Sequence, residues 1–307
     1  MTAALKVGSR GSPLALAQTE DVVARLRRAH PEIHVETVVI RTYGDEGYRT
    51  DLGSSYDGKR AFTKRIEDAL LGGRVDFAVH SLKDLPADLV PGLSIAAIPP
   101  RADPRDLLVA NDGQTLANLS PHSRVGTSSL RRRAQLLARW PGLEIVELHG
   151  NVGTRLRRLE KGEFDAVVVA AAGVQRLGIE RASMEPIDPD IVTPAPGQGA
   201  LAVEVRSGDR ELIDLLRTID DVATRKTTEA ERALSARIGG GCNVPLGALA
   251  TIDGPQLRLR AVVATPDGRR IVRSDASGPA NSPEGIVDAA RRRLLDGGAN
   301  DILREVT

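Results

Sequence analysis

The sequence predicts two similar α/β domains in tandem followed by a small α+β domain. Three observations lead there. Short β-branched runs alternate with helical ones through the first half of the chain, the signature of βαβ units around a mostly parallel sheet. The same succession of motifs then recurs. Beyond about residue 220 the order changes to a helix, a glycine loop, several strand-like runs and a last helix.

The first copy begins with "KVGSR", a strand that runs into the helix "SPLALAQTEDVVARLRRA", then come the strand "HVETVVIR", the helix "TKRIEDALLGG" and the strand "VDFAVHS". The second copy is announced by "VGTSSLRRRAQL" (125–136), which parallels "VGSRGSPLALAQ" (7–18). "WPGLEIVE" (140–147) parallels "HPEIHVE" (30–36), and "RLEKGEFDAVV" (158–168) parallels "ALLGGRVDFAV" (69–79), making Asp76 and Asp165 equivalent. The first copy is longer, in part through the glycine-rich "YGDEGYRTDLGSSYDGK" (43–59), which reads either as a lid over a site or as an idle surface loop. Prolines in "IPPRADPRD" (98–106) and "VTPAPGQG" (192–199) mark two crossings between domains, with "ALAVEVR" returning as a strand to the first sheet. The expected division is 1–98 with 199–218, then 99–198, then 219–307. In the last part "PLGALATI", "QLRLRAVVATPDG" and "RIVRSD" are strands, and a helix lies around 283–296.

Composition narrows the function classes. Of 307 residues 41% are hydrophobic and 27% charged, an ordinary globular balance, and the net charge is +1, so any electrostatic function comes from local clustering. One cysteine excludes an internal disulfide. The start, "MTAALKVGSRG", has no signal-like apolar stretch, and the longest apolar run, "AVVVAAAGV" (166–174), is about half of what a membrane span needs. A cytoplasmic protein, away from membranes, is expected. His30, His34, His80, His122 and His149 show no ligand spacing, so no metal site is expected. Walker and GxGxxG loops are absent, and with 2% aromatic residues there are few stacking platforms for nucleic acid, which is excluded as a partner.

Charge is nonetheless concentrated. Residues 124–158 hold eight arginines against two glutamates. "GTSSLRRR" sets Thr127, Ser128 and Ser129 at a helix start, where hydroxyls and free N–H groups accept an anion, with Arg131 and Arg132 as bidentate partners for carboxylate or phosphate. "GNVGTR" repeats the arrangement with Arg155, and Arg176 lies one strand–helix step on. Ligands of open α/β sheets collect at the carboxyl ends of strands, so these clusters are expected to converge on a cleft between the domains that holds a small or medium polyanion. One acid interrupts them: in "VDFAVHSLKDLP" the strand ends at Ser81, followed by Lys83 and Asp84. Asp84 is either a turn residue before Pro86 or a group that stabilises a cation or passes a proton. Cys242 is carried on "RIGGGCNVPLG", after three glycines that end a helix, as a tether would be rather than as a core thiol.

Together "SRGSPLALAQ", "AVHSLKDLP", "VGTSSLRRRAQL", "GNVGTRL", "AAAGVQRLG", "PGQGALAVE" and "ERALSARIGGGCNVPLGA" resemble the porphobilinogen deaminase (hydroxymethylbilane synthase) family over essentially the whole chain. The resemblance implies a transferase of porphyrin and heme biosynthesis, with two domains similar to type II periplasmic binding proteins and a third carrying the cofactor. Its substrate would be porphobilinogen, four units of which are condensed. Its cofactor would be a dipyrromethane joined as a thioether to Cys242. By position, Asp84 would stabilise the cation formed as ammonia leaves, with Lys83 beside it. Ser81, Arg10, Ser12, Thr127, Ser128, Ser129, Arg131, Arg132, Arg155 and Arg176 would bind acetate and propionate groups, with Lys59 and Phe62 near the lid. Two positions depart from the pattern. His149 stands where an arginine is usual, replacing a fixed charge by a pH-dependent one, and Arg60 stands in "DGKRAF" where glycine is frequent. A two-lobed anion-binding or sensing protein without chemistry is the alternative; it leaves Cys242, Asp84 and the third domain unexplained.

Overall fold

A computed structural model describes residues 4–43, 60–111, 113–181, 183–239 and 244–306. In chain order the elements are β1 (Leu5–Ser9), α1 (Pro13–Ala29), β2 (Val35–Val39), α2 (Arg60–Leu71), β3 (Phe77–Ser81) and β4 (Leu93–Ala97). Next come β5 (Asp106–Ala110), β6 (Arg124–Gly126), α3 (Leu130–Arg139), β7 (Glu144–Val146), α4 (Val152–Glu160), β8 (Ala166–Ala170), α5 (Ala171–Arg176) and β9 (Met184–Pro186). The chain continues through β10 (Leu201–Arg206), α6 (Arg210–Arg217), α7 (Val222–Ile238), β11 (Leu246–Asp253), β12 (Gln256–Ala264), β13 (Ile271–Pro279), α8 (Pro283–Asp296) and α9 (Ala299–Val306).

The chain forms two compact units, Met1–Arg101 with Ala200–Arg225 and Ala102–Gly199 with Lys226–Thr307. The first contains a five-stranded sheet in the order β2-β1-β3-β10-β4, the second another in the order β7-β6-β8-β5-β9. The two sheets are the same construction. In each, the first three strands are parallel, and the fourth runs antiparallel to both of its neighbours. That fourth strand, β10 or β5, is the first one formed after the chain crosses into the unit from the other. "ALAVEVR" therefore returns to the first sheet as the sequence predicts, and two tandem α/β domains with a double crossover are present.

The equivalence of Asp76 and Asp165 extends to individual atoms. Asp76 Oδ2 accepts the Lys6 amide at 2.7 Å, and Asp165 Oδ2 accepts the Arg124 amide at 2.6 Å. Each aspartate donates its own amide back to the carbonyl of the same partner, at 2.8 and 2.9 Å. One carboxylate thus fastens the start of the third strand to the start of the first in both sheets.

Local sequence explains the helices after the first strands. Ser12 caps α1 by accepting the Ala15 amide, with Pro13 in the first turn, and Ser129 caps α3 by accepting the Arg132 amide. Gln18, Thr19, Val22, Val23 and Leu26 form the buried face of α1. Val22, Val23 and Leu26 pack with Val7, Phe77, Val79, Val203 and Val205 on one face of the first sheet, while Ile66, Ala69 and Leu70 of α2 pack with Ala78 on the other.

The second unit also contains the antiparallel sheet β11-β12-β13, whose core is shared with α7, α8 and α9. Close contacts attach this C-terminal layer to the loop after β9 and to α3. A Cβ on Gly247 would lie 2.6 Å from the Thr193 carbonyl oxygen, and the Ala248 amide donates to the Pro194 carbonyl. The buried Glu231 of α7 accepts the Gly197 and Ala250 amides at 2.7 and 2.8 Å. The turn between β12 and β13 lies on the backbone of α3. Gly268 there has φ +72°, and a Cβ would come 2.4 Å from the Ala138 nitrogen. Gly268→Ala is therefore expected to cost roughly 2–3 kcal/mol through left-handed strain and overpacking. A denaturant midpoint equal to wild type would show that the turn does not bear on α3.

Candidate functional site

In the first unit the predicted residues gather at the carboxyl ends of β1 and β3, two paired strands. Ser81 ends β3, and a single 3₁₀ turn, Leu82–Asp84, comes next. Leu82 and Leu85 are both fully buried, and the Leu82 amide donates to the Ala200 carbonyl. The two leucines pin the turn from either side and leave Asp84 exposed and Lys83 half-buried. Among the described residues Asp84 forms no ion pair.

Ser81 is held from α1, whose Gln18 Nε2 donates to its hydroxyl at 2.8 Å. The guanidinium of Arg10, just past β1, stacks over the ring of Phe62, 4.5 Å from its centroid. Ser12 is occupied in capping α1. Behind Ser81, His80 Nε2 and Glu204 Oε2 lie 3.2 Å apart across β3 and β10, both buried.

In the second unit the corresponding ends of β6, β7 and β8 carry the other set. Thr127 is buried and accepts the Ser129 amide through its hydroxyl; Ser128 and Ser129 are half-buried. Arg131 and Arg132 open α3, but their head groups turn inward, each only 5% exposed, and meet on the fully buried Asp106. Arg131 Nη1 donates to Asp106 Oδ2 at 2.8 Å, and Arg132 Nη2 donates to Oδ1 at 2.7 Å. Burial alone would raise the Asp106 carboxyl, but the two guanidiniums outweigh it and hold it well below the ordinary carboxylate range. Burial and the like charge of Arg132 lower Arg131, opposed by Asp106.

Arg155 Nε donates to the Gly150 carbonyl beside the Asn151 cap of α4, and Arg176 Nη2 donates to the Gly199 carbonyl. His149 is exposed and pairs with Glu147 at 2.8 Å, so what replaces the customary arginine is a ring already facing a carboxylate. Lys59, Cys242 and nearly all of the lid segment lie outside the described residues.

Sequence reasoning missed Asp106, Gln18 and Gln198, whose Nε2 donates to Asp106 Oδ1 at 2.9 Å. The available signal for Asp106 was an acid directly preceding "LLVA", an all-apolar run bound for a sheet interior, where a carboxylate needs partners. Among the described residues no group of three or more histidine, cysteine, aspartate or glutamate side chains could hold a metal ion, and no helix is long and apolar enough to cross a membrane.

Known proteins share this chain's pattern along its length. Residues 5–214 match the family model described as porphobilinogen deaminase, dipyromethane cofactor binding domain, and residues 226–296 match porphobilinogen deaminase, C-terminal domain. A porphobilinogen deaminase of Roseiflexus castenholzii is 48% identical over 303 residues, covering 99% of each chain. One of Bordetella parapertussis is 47% identical over 305 residues, covering 98% of this chain and 96% of its own. Among solved structures, the second substrate binding domain of a putative amino acid ABC transporter from Streptococcus pneumoniae aligns with 78% of this chain and 96% of its own, at 13% identity and a TM-score of 0.45.

Proposed function

Because the chain belongs to the porphobilinogen deaminase family, we propose that it is a transferase of porphyrin and heme biosynthesis that joins four porphobilinogen molecules head to tail, releases an ammonia with each, and sets the four-unit chain free by hydrolysis as hydroxymethylbilane. The observation that carries this reading is the charge surplus at the start of α3, two buried guanidiniums against one carboxylate. Such a site suits a ligand with carboxylate side chains, and each porphobilinogen has two. A sensing protein would need the same surplus, but it would have no use for an exposed carboxylate at Asp84.

The dipyrromethane cofactor of the family, itself made of two such units, fits the same donor chemistry. Arg131, Arg132 and Arg155, with the hydroxyls of Thr127 and Ser128, would hold its carboxylates, and Cys242 would bear it as a thioether. When bound, it supplies the pyrrole terminus that incoming units join. The chain's own residues do the rest. Lys83, Arg10 and Ser81 receive the acetate and propionate of the incoming porphobilinogen. Asp84, at its exposed turn, presents a negative charge to the pyrrole nitrogen as ammonia departs and can hold that nitrogen's proton on its carboxylate. Low aromatic content and near-neutral overall charge support action without nucleic acid, and the enzyme proposed is cytoplasmic and acts as a monomer away from membranes.

Intact-mass measurement tests the reading. The purified protein is expected to be heavier than its sequence by one dipyrromethane, on the peptide containing Cys242. An unmodified mass accompanied by full activity would overturn it.

A further inference from the structure

Arg131 and Arg132 are consecutive in a helix, so their side chains leave the axis about 100° apart and have no local reason to meet. They meet because Asp106 receives both. Its Oδ1 accepts Arg132 Nε at 3.0 Å and Nη2 at 2.7 Å, together with Gln198 Nε2 at 2.9 Å, and its Oδ2 accepts Arg131 Nη1 at 2.8 Å. Two carbonyls complete the arrangement: Thr193 accepts Arg131 Nη1 at 2.7 Å, and Val168 accepts Arg132 Nη1 at 2.9 Å. Four bonds reach the carboxylate, three on Oδ1 and one on Oδ2. They do not saturate the arginines. Of five N–H groups on each, Arg131 retains its Nε–H and both hydrogens of Nη2, and Arg132 retains one hydrogen on each Nη, outside the bonds formed among the described residues.

The charges are likewise uneven. Two guanidiniums face one carboxylate, which leaves a single positive charge in buried surroundings. A ligand carboxylate brings one negative charge and accepts two parallel N–H bonds, matching both the surplus charge and the spare donors. A dianion would bring a second negative charge next to the Asp106 carboxylate with no cation left to answer it, and buried charge without a partner is costly.

We propose that Asp106 is a positioning and specificity residue. It brings the Arg131 and Arg132 head groups together and cancels one of their two charges, so that the pair takes one singly charged carboxylate in preference to a doubly charged anion. This rests on the reading above that these arginines receive ligand carboxylates.

The test is a thermal-shift titration of the full-length protein in a Cys242→Ser background, where no covalent cofactor fills the arginine pair, with sodium propionate and with sodium sulfate at constant ionic strength, comparing the otherwise wild-type chain with Asp106→Asn and Arg132→Leu. The binding of interest is the component lost in Arg132→Leu. In the otherwise wild-type chain that component is expected to favour propionate. In Asp106→Asn the propionate-to-sulfate affinity ratio is expected to fall by at least about tenfold, since one charge within contact distance has been removed. An unchanged ratio would overturn the role of Asp106. If the variant does not fold, the otherwise wild-type chain decides the matter, because tighter binding of sulfate than of propionate there overturns the proposal equally. Propionate binding untouched by Arg132→Leu would instead refute the underlying reading that these arginines receive carboxylates.

Discussion

Asp84→Asn is expected to fold like the wild type, to keep its apparent KM for porphobilinogen, and to lose kcat by roughly 10²–10³-fold, the usual effect of removing one positioned electrostatic group. The substitution keeps the shape of the side chain and takes away its charge. Loss of ammonia from porphobilinogen leaves a cation delocalised over the pyrrole and its methylene carbon. Arginines that suit the carboxylates of the substrate raise the energy of that cation, and a carboxylate offsets them only if it is free to act. Asp84 is exposed, and among the described residues no cation pairs with it. Folding should be indifferent to the change because Leu82 and Leu85, not Asp84, anchor the turn. Steady-state kinetics with a folded variant checks this. Turnover near the wild-type rate would reduce Asp84 to a turn residue.

Asp106→Asn should act on stability. Removing one partner of a buried ionic cluster leaves two guanidiniums uncompensated, a loss of about 3–5 kcal/mol at neutral pH. The pH dependence has a definite sign. The Asp106 carboxyl is held below its ordinary value in the folded chain, so the unfolded state binds more protons as the pH falls. The stability from this group is fully present above the unfolded value of about 3.9 and drains away as the medium becomes more acid. The wild-type urea midpoint should therefore fall on acidification below about pH 4, and that of the variant should be lower at neutral pH and flatter through the acid range. Parallel acid limbs in the two proteins would show that Asp106 is not the group responsible.

The candidate site was legible in parts, and the reason differs from residue to residue. Ser12 and Ser129 could be placed at helix starts because a cap is a contact spanning three residues. Asp84 could be singled out because a strand that stops just before Leu-Lys-Asp-Leu-Pro puts those residues in a turn at the sheet's end. His149 could be recognised as a departure, whereas its pairing with Glu147 depends on side-chain directions after β7. Arg131 and Arg132 could be read as cationic, but not as buried.

By itself the sequence determined what periodicity and repetition encode: two α/β domains, the return of the chain through "ALAVEVR", the matching roles of Asp76 and Asp165, and a mixed C-terminal layer. These rest on local patterns or on one stretch resembling another. Only the tertiary structure decided what depends on groups far apart in the chain meeting in space. It turned β5 and β10 antiparallel within otherwise parallel sheets. It brought the C-terminal layer against α3 at Gly268 and against Thr193 at Gly247. It also sent two arginines inward to an aspartate 25 and 26 residues away. A guanidinium looks the same in a sequence whether it faces water or a buried carboxylate, and only the partner, which packing selects, tells the two apart.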